Sequence, residues 1–141
     1  MTPTSGGRGL GPVLFVVLLV ASLVVSALVV RARTPDLMLE VTRLPGTISP
    51  DGDGSKDVAR VTFFVRETDP AAEVQIVGAD KEVVRTLDSQ VALEAGGEVT
   101  YVWNGRTDLG GKAPIGRYRL RVILPSSDRD MVFPRRLDLV G

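Results

Sequence analysis

An all-β fold, an antiparallel sandwich preceded by a single transmembrane α-helix, is what this 141-residue chain predicts. Three observations carry it. Residues 13–30 are apolar apart from Ser22 and Ser26, a run that covers about 27 Å as a helix against about 30 Å for a hydrocarbon core. Beyond it, apolar side chains recur at every second position in several short stretches, the period of a half-buried strand. Turn residues separate these stretches at intervals of roughly 8 to 12 positions, which favours about seven strands in a sandwich over a helical domain.

Taken in order, residues 1–10 are a short polar tail and residues 11–30 the membrane helix. A secretory signal carries a shorter apolar region, about 7 to 15 residues, so an uncleaved anchor is expected. The small residues of Val25-Ser26-Ala27 also offer a cleavage site, after which the remainder would be released. Ser22 and Ser26 share one helix face, where small side chains let membrane helices approach or bond back to their own backbone. Arg8 precedes the run and Arg31 and Arg33 follow it. By the positive-inside rule that count draws the C-terminal part toward the cytoplasm.

Residues 31–43 read as a juxtamembrane linker and an edge strand, in which Leu37, Leu39 and Val41 alternate with Met38, Glu40 and Thr42. A sandwich over 44–141 follows. Its first clear strand sets Ala59, Val61, Phe63 and Val65 against Arg60, Thr62 and Arg66. Val74 and Ile76 continue the pattern, Val84 and Leu87 close a hairpin, and Leu93 leads through Ala95-Gly96-Gly97 to a strand carrying Val99, Tyr101 and Trp103 on one face. After a long turn come Tyr118, Leu120, Val122 and Leu124, and Leu137 and Leu139 finish the sheet.

The turn between the last two long strands holds the most specific pattern in the chain. Trp103, Asn104, Gly105, Asp108, Gly110, Pro114, Gly116 and Tyr118 resemble, at matching offsets, the immunoglobulin-like domain of flagellar hook-cap scaffolding proteins of the FlgD type. A second mark agrees: Ser49, Pro50, Asp51, Gly52, Asp53, Gly54 and Asp57 are similar to that family's approach to its first core strand. The resemblance implies an immunoglobulin-like fold over roughly residues 44–141, and a bacterial surface setting for it. It does not imply flagellar assembly, because no additional assembly segment is found here, and such sandwiches host many roles. Two departures stand out. Asp80-Lys81 replaces the family's Asp-Gly, which predicts a longer or bulged hairpin, since Lys81 would be strained at positive φ. Asn104 stands where Asp is commoner.

Composition narrows the chemistry. The chain has 17 basic and 17 acidic side chains, and neither His nor Cys. Arg8, Arg31, Arg33 and Asp36 precede residue 37, so the remainder carries 14 basic and 16 acidic groups. Nucleic acid is not an expected partner, because that affinity needs clustered excess positive charge. Without Cys there are no disulfides, thiolate metal sites or thiol nucleophiles. With neither Cys nor His and no recognisable carboxylate pair, an enzyme is not expected.

Three constellations remain. Asp51, Asp53, Ser55 and Asp57 recur at two-residue intervals, so a turning backbone can direct several oxygens at a hard cation, calcium being the natural one. Lys56 replaces the glycine of an EF-hand and Thr62 its bidentate Glu, so the other reading is a turn whose carboxylates bond backbone N–H groups. Arg117, Arg119 and Arg121 alternate with the apolar positions of their strand and line up outward. That stripe suits an anionic polymer or an acidic partner, or is a solvated face neutralised across strands by acids such as Glu98. Trp103 and Tyr118 alternate with core residues, which argues for core and against a carbohydrate platform.

The expectation is therefore a single-pass, extracytoplasmic, non-catalytic binding or scaffolding module of the bacterial cell envelope, its partner an envelope protein or an anionic polymer. The outward placement follows the resemblance, against the pull of Arg31 and Arg33. The alternatives are an accessory module of an envelope polysaccharide enzyme or transporter, or a form secreted after cleavage.

Overall fold

In the computed structural model, residues 39–141 and Val17 are described. The predicted membrane helix, 11–30, thus lies outside the described residues, Val17 apart. Among the described residues no helix is long and apolar enough to cross a membrane.

The strands are β1 (Leu39–Arg43), β2 (Thr47–Ile48), β3 (Ala59–Val65), β4 (Asp69–Val77), β5 (Val83–Leu93), β6 (Glu98–Trp103), β7 (Gly116–Leu124), β8 (Arg129–Val132) and β9 (Leu137–Leu139). One sheet has the order β1-β3-β6; the other has β2-β9-β7-β4-β5, with β8 also paired to β7. Strict alternation builds the shared core. Ala59, Val61, Phe63 and Val65 of β3 are buried, as are Tyr118, Leu120, Val122 and Leu124 of β7. Both sets belong to one apolar cluster with Leu39, Ile48, Val74, Ile76, Trp103 and Leu137.

The architecture departs from the sequence expectation in three places. β1 pairs with β3, Leu39 opposite Val65, and Leu39 is only 1% exposed, so the predicted edge strand packs into the sandwich body ahead of residue 44. The larger sheet is mixed, not purely antiparallel, because β2 runs parallel to β9. Two residues are too few for a strand period to register in a sequence. β5 is a single strand of 11 residues whose register slips repeatedly against β4, and Gln90 within it has a φ of +55°. Such bulges break the two-residue alternation along the strand, and Val84 and Leu87, three positions apart, both lie within it.

The β4–β5 hairpin is the longer form the Asp80-Lys81 pair predicts. Gly78 N–H donates to Glu82 O at 3.0 Å and Lys81 N–H to Gly78 O at 3.2 Å. Lys81 still takes a φ of +64°, at a cost of about 1 kcal/mol for a residue with a Cβ.

The two ends of the sandwich are distinct. At one end β3 begins beside the end of β6, with Ala59 opposite Trp103, and β7 begins beside the end of β9, with Gly116 opposite Leu139. The chain enters β1 at the other end, where β3 finishes. The loops 49–58, 78–82 and 104–115 therefore gather at the end opposite Leu39.

Trp103 fixes that loop end. Its side chain is 1% exposed, meets Tyr118 edge-on with ring centroids 5.0 Å apart, and donates its indole N–H to Arg106 O at 2.8 Å. Trp103→Ala removes the core's largest fully buried side chain and should cost about 3–5 kcal/mol, read as a lowered urea midpoint with an unchanged slope. A variant melting like the parent would refute this core assignment.

Candidate functional site

The acidic loop is built from the chain inward. Asp51 Oδ1 accepts the N–H of Asp53 at 3.0 Å, and Asp53 Oδ1 accepts that of Ser55 at 2.6 Å. Asp57 reaches back across the loop, accepting Gly52 N–H at 2.9 Å and Gly54 N–H at 2.8 Å. Ser49 N–H closes the loop on Lys56 O at 2.9 Å. These bonds satisfy a backbone that would otherwise be left to water, the role short acidic side chains play in turns. They also bring one oxygen from each of Asp51, Asp53 and Asp57 within 4.8 Å of one another. Carboxylate oxygens so gathered are of the kind a hard cation takes, through lone pairs the amides leave free. Ser55 enters through its backbone N–H. Thr62 lies away from the loop in β3, its hydroxyl 2.9 Å from that of Thr100.

The arginine stripe lies on the outward face of β7 and is largely paired. Arg121 holds Asp130 of β8 by two bonds, at 2.8 and 2.5 Å. Its Nη1 also lies 3.4 Å from Gln75 Oε1. Arg117 Nε lies 3.9 Å from Asp138 of β9. Arg119 makes no ion pair among the described residues. Glu98, the acid expected to neutralise the stripe, sits in β6 of the other sheet opposite Phe64 and cannot reach it. Strand alternation placed Glu98 on an outward face but carried no information on which sheet. The Arg121 hydrogen bonds hold the Asp130 carboxyl below its usual range, against partial burial, and Lys81 adds to the effect.

The third group is the loop joining β6 and β7, where each motif residue has a structural partner. Asn104 Oδ1 accepts Arg106 N–H at 3.3 Å. Gly105 has a φ of +72°, and a Cβ there would stand 2.7 Å from Pro50 Cγ, so both backbone and space demand glycine. Its carbonyl accepts Ala113 N–H at 2.8 Å. Asp108 turns outward onto β5: its N–H donates to Val84 O at 3.0 Å, and its carboxylate accepts Thr86 N–H at 2.9 Å and Thr86 Oγ1 at 3.1 Å. Arg85 Nη1 stands 3.7 Å from the same carboxylate. Gly110 O accepts the Arg106 guanidinium at 2.8 Å. Tyr118 OH donates to Pro114 O two residues before Gly116 opens β7.

Among the described residues no buried side-chain N or O lacks a hydrogen-bond partner. Even Asp69, fully buried, is spent on the N–H groups of Ala71 at 2.9 Å and Ser126 at 3.0 Å. Tyr101 is pushed up to about 12 by burial and by Asp88, whose carboxylate accepts its hydroxyl at 3.3 Å. A phenol so shifted stays neutral in the folded protein and is no base near neutrality.

A family described as FlgD Ig-like domain matches residues 47–128. No curated protein matches the chain. Among solved structures, dimeric latent PorU from Porphyromonas gingivalis is similar at 18% identity and a TM-score of 0.53, over 73% of this chain and 9% of that one. PorZ, an essential bacterial surface component of the type-IX secretion system of the same organism, aligns at 19% identity and a TM-score of 0.43, over 77% of this chain and 13% of PorZ. A CARDB domain from Pyrococcus furiosus aligns at 12% identity and a TM-score of 0.40, over 73% of this chain and 91% of that one. This chain thus spans a small part of either Porphyromonas protein, and the likeness to PorU is one of fold.

Two measurements test the site. If the acidic loop binds calcium, millimolar Ca²⁺ raises the melting temperature above that in chelator by mass action, and Asp53→Ala abolishes the rise; superimposed curves assign the carboxylates to the backbone alone. The second concerns Asp130. Its folded pKa lies below the unfolded value, so the pair's contribution is present above about pH 4 and lost as pH falls through the depressed value. Asp130→Asn should therefore flatten the acid limb of the stability curve, and an unaltered limb would contradict the pairing.

Proposed function

The chain belongs to the FlgD Ig-like domain family, and on that premise we propose that it is a membrane-anchored, extracytoplasmic binding or scaffolding module of the bacterial cell envelope. The observation that carries the reading is the uncharged run at residues 13–30 ahead of a β-sandwich. A segment of that length and polarity is suited to span a bilayer. A non-catalytic role is supported by the lack of His and Cys and by polar side chains committed to the backbone or to one another. The partner is an envelope protein or an anionic polymer, the latter met on the β7 face by Arg119, which makes no ion pair among the described residues, beside Arg117 and Arg121, which exchange their acids for it.

One specific observation favours the opposite orientation. Arg31 and Arg33 follow the apolar run and Arg8 precedes it, a balance that by charge alone retains the domain in the cytoplasm.

Cell fractionation and protease access test both halves. The full-length protein should sediment with membranes and resist high salt and carbonate. Val20→Arg should impair insertion, at about 2.5 to 3.5 kcal/mol on insertion scales. Protease added to spheroplasts should remove the domain while a cytoplasmic marker survives; protection until lysis would place the domain inside, and carbonate-soluble protein would refute the anchor.

A further inference from the structure

The loop end opposite Leu39 carries a cleft of about 510 Å³ between the β4–β5 hairpin and the β6–β7 loop. Its apolar walls include Val83, Leu109 and Ile115. Leu109 is 98% exposed and Ile115 73% exposed, so two large aliphatic side chains stand in water at its mouth. Exposed apolar groups clustered around a concavity are a mark of an interaction site rather than of random surface.

The charge within this cleft is set by the chain itself. Glu82 lines it, with Oε2 accepting Asp80 N–H at 3.0 Å. The carboxylate lies against Gly78, where a Cβ would collide with Glu82 Oε1. The Asp80 N–H gives the carboxylate a preferred position and Gly78 leaves it the room to take that position, which lowers the cost of ordering it. It also acts on the cleft floor, where burial and then the Glu82 charge push the Tyr118 phenol up.

The arginines nearest the cleft mouth face other groups. Arg85 faces Asp108 and Thr107 O, and Arg117 on the rim faces Asp138. Among the described residues Glu82 has no Lys or Arg nitrogen within 4.0 Å, unlike the acids those side chains address. An anchored carboxylate in an aliphatic cleft calls for a cation on an apolar stem. Lysine and arginine side chains have that form, since their methylenes lie along apolar surface while the head reaches a charge.

We propose that this cleft is a docking site for an extended segment of a protein partner that presents a lysine or arginine flanked by aliphatic residues. The basic head meets Glu82, its stem and the flanking side chains lie on Val83, Leu109 and Ile115, and Gly78 is a positioning residue for the carboxylate. The inference rests on the reading of the chain as a binding module. It adds the site and the chemistry of the partner.

The test uses ¹⁵N-labelled full-length protein and two probes, acetyl-Leu-Lys-Leu-amide and acetyl-Leu-Glu-Leu-amide. The lysine peptide should shift the amide signals of Glu82, Val83, Leu109 and Ile115 saturably, and the glutamate peptide should leave them in place at the same concentration. Glu82→Gln should weaken binding about 1.5- to fivefold, the range an exposed ion pair supplies. Gly78→Ala keeps the charge but displaces it, and should weaken binding likewise with the melting temperature retained. Equal titration by both peptides, undiminished affinity in either variant, shifts confined to the β7 arginines, or the same shifts produced by phosphatidylcholine vesicles alone would each overturn the proposal. None of those outcomes touches the fractionation result, so a failure of this cleft is distinguishable from a failure of the envelope reading.

Discussion

Burial of the Trp103 indole is the constraint on which the loop end depends. A side chain that large contributes strongly only when fully withdrawn from water, and its N–H must then find an acceptor. The acceptor is Arg106 O, three residues on, so the chain has to fold back as soon as β6 ends. That reversal requires the left-handed backbone of Gly105 and leaves no space between it and Pro50. The acidic loop and the β6–β7 loop are thereby locked together, and the Gly105 carbonyl is left facing Ala113. One hydrogen-bonding requirement thus propagates through two loops.

Asp108 extends the same loop to the sheet edge. β5 is the outermost strand on its side, and an open edge offers unpaired groups to any passing strand. The Asp108 backbone N–H and carboxylate occupy Val84 O and Thr86 N–H, so part of that edge is closed from within the chain. The slipped register and the Gln90 bulge farther along β5 make the rest a poor template. The sandwich can therefore meet other proteins without offering that edge to strand addition.

How far the sequence reveals this molecule depends on the range of the interaction concerned. The faces of β3, β6 and β7 were legible because alternation is a local property, and Gly105 and Gly110 because a positive φ leaves a compositional mark. The partners of the arginine stripe were not. Asp130 meets Arg121 only because Pro125–Ser127 and a left-handed Asp128 turn the chain back beside β7, and Asp138 arrives by a separate strand. Glu98 had the right polarity and the wrong sheet, since strand order leaves no period in a sequence. Glu82 is an ordinary exposed acid by composition. The signal that marks it is Gly78, four residues earlier, which reads as a simple turn residue until the carboxylate is seen lying against it. β2 and β8 are too short to show a pattern of their own.

The placement of β1 and β9 at opposite ends has a mechanical meaning. A pull on Leu39 and on Leu139 draws each strand along its own length, out of opposite ends of the body. The β1–β3 ladder and the ladders holding β9 between β2 and β7 would then be loaded in shear, all their bonds sharing the force, rather than unzipped one at a time. Because forced unfolding is governed by the rate of crossing the unfolding barrier, shear loading favours a long lifetime under tension. A module held at one end and gripped at its loop end would transmit drag along its own axis before it gave way.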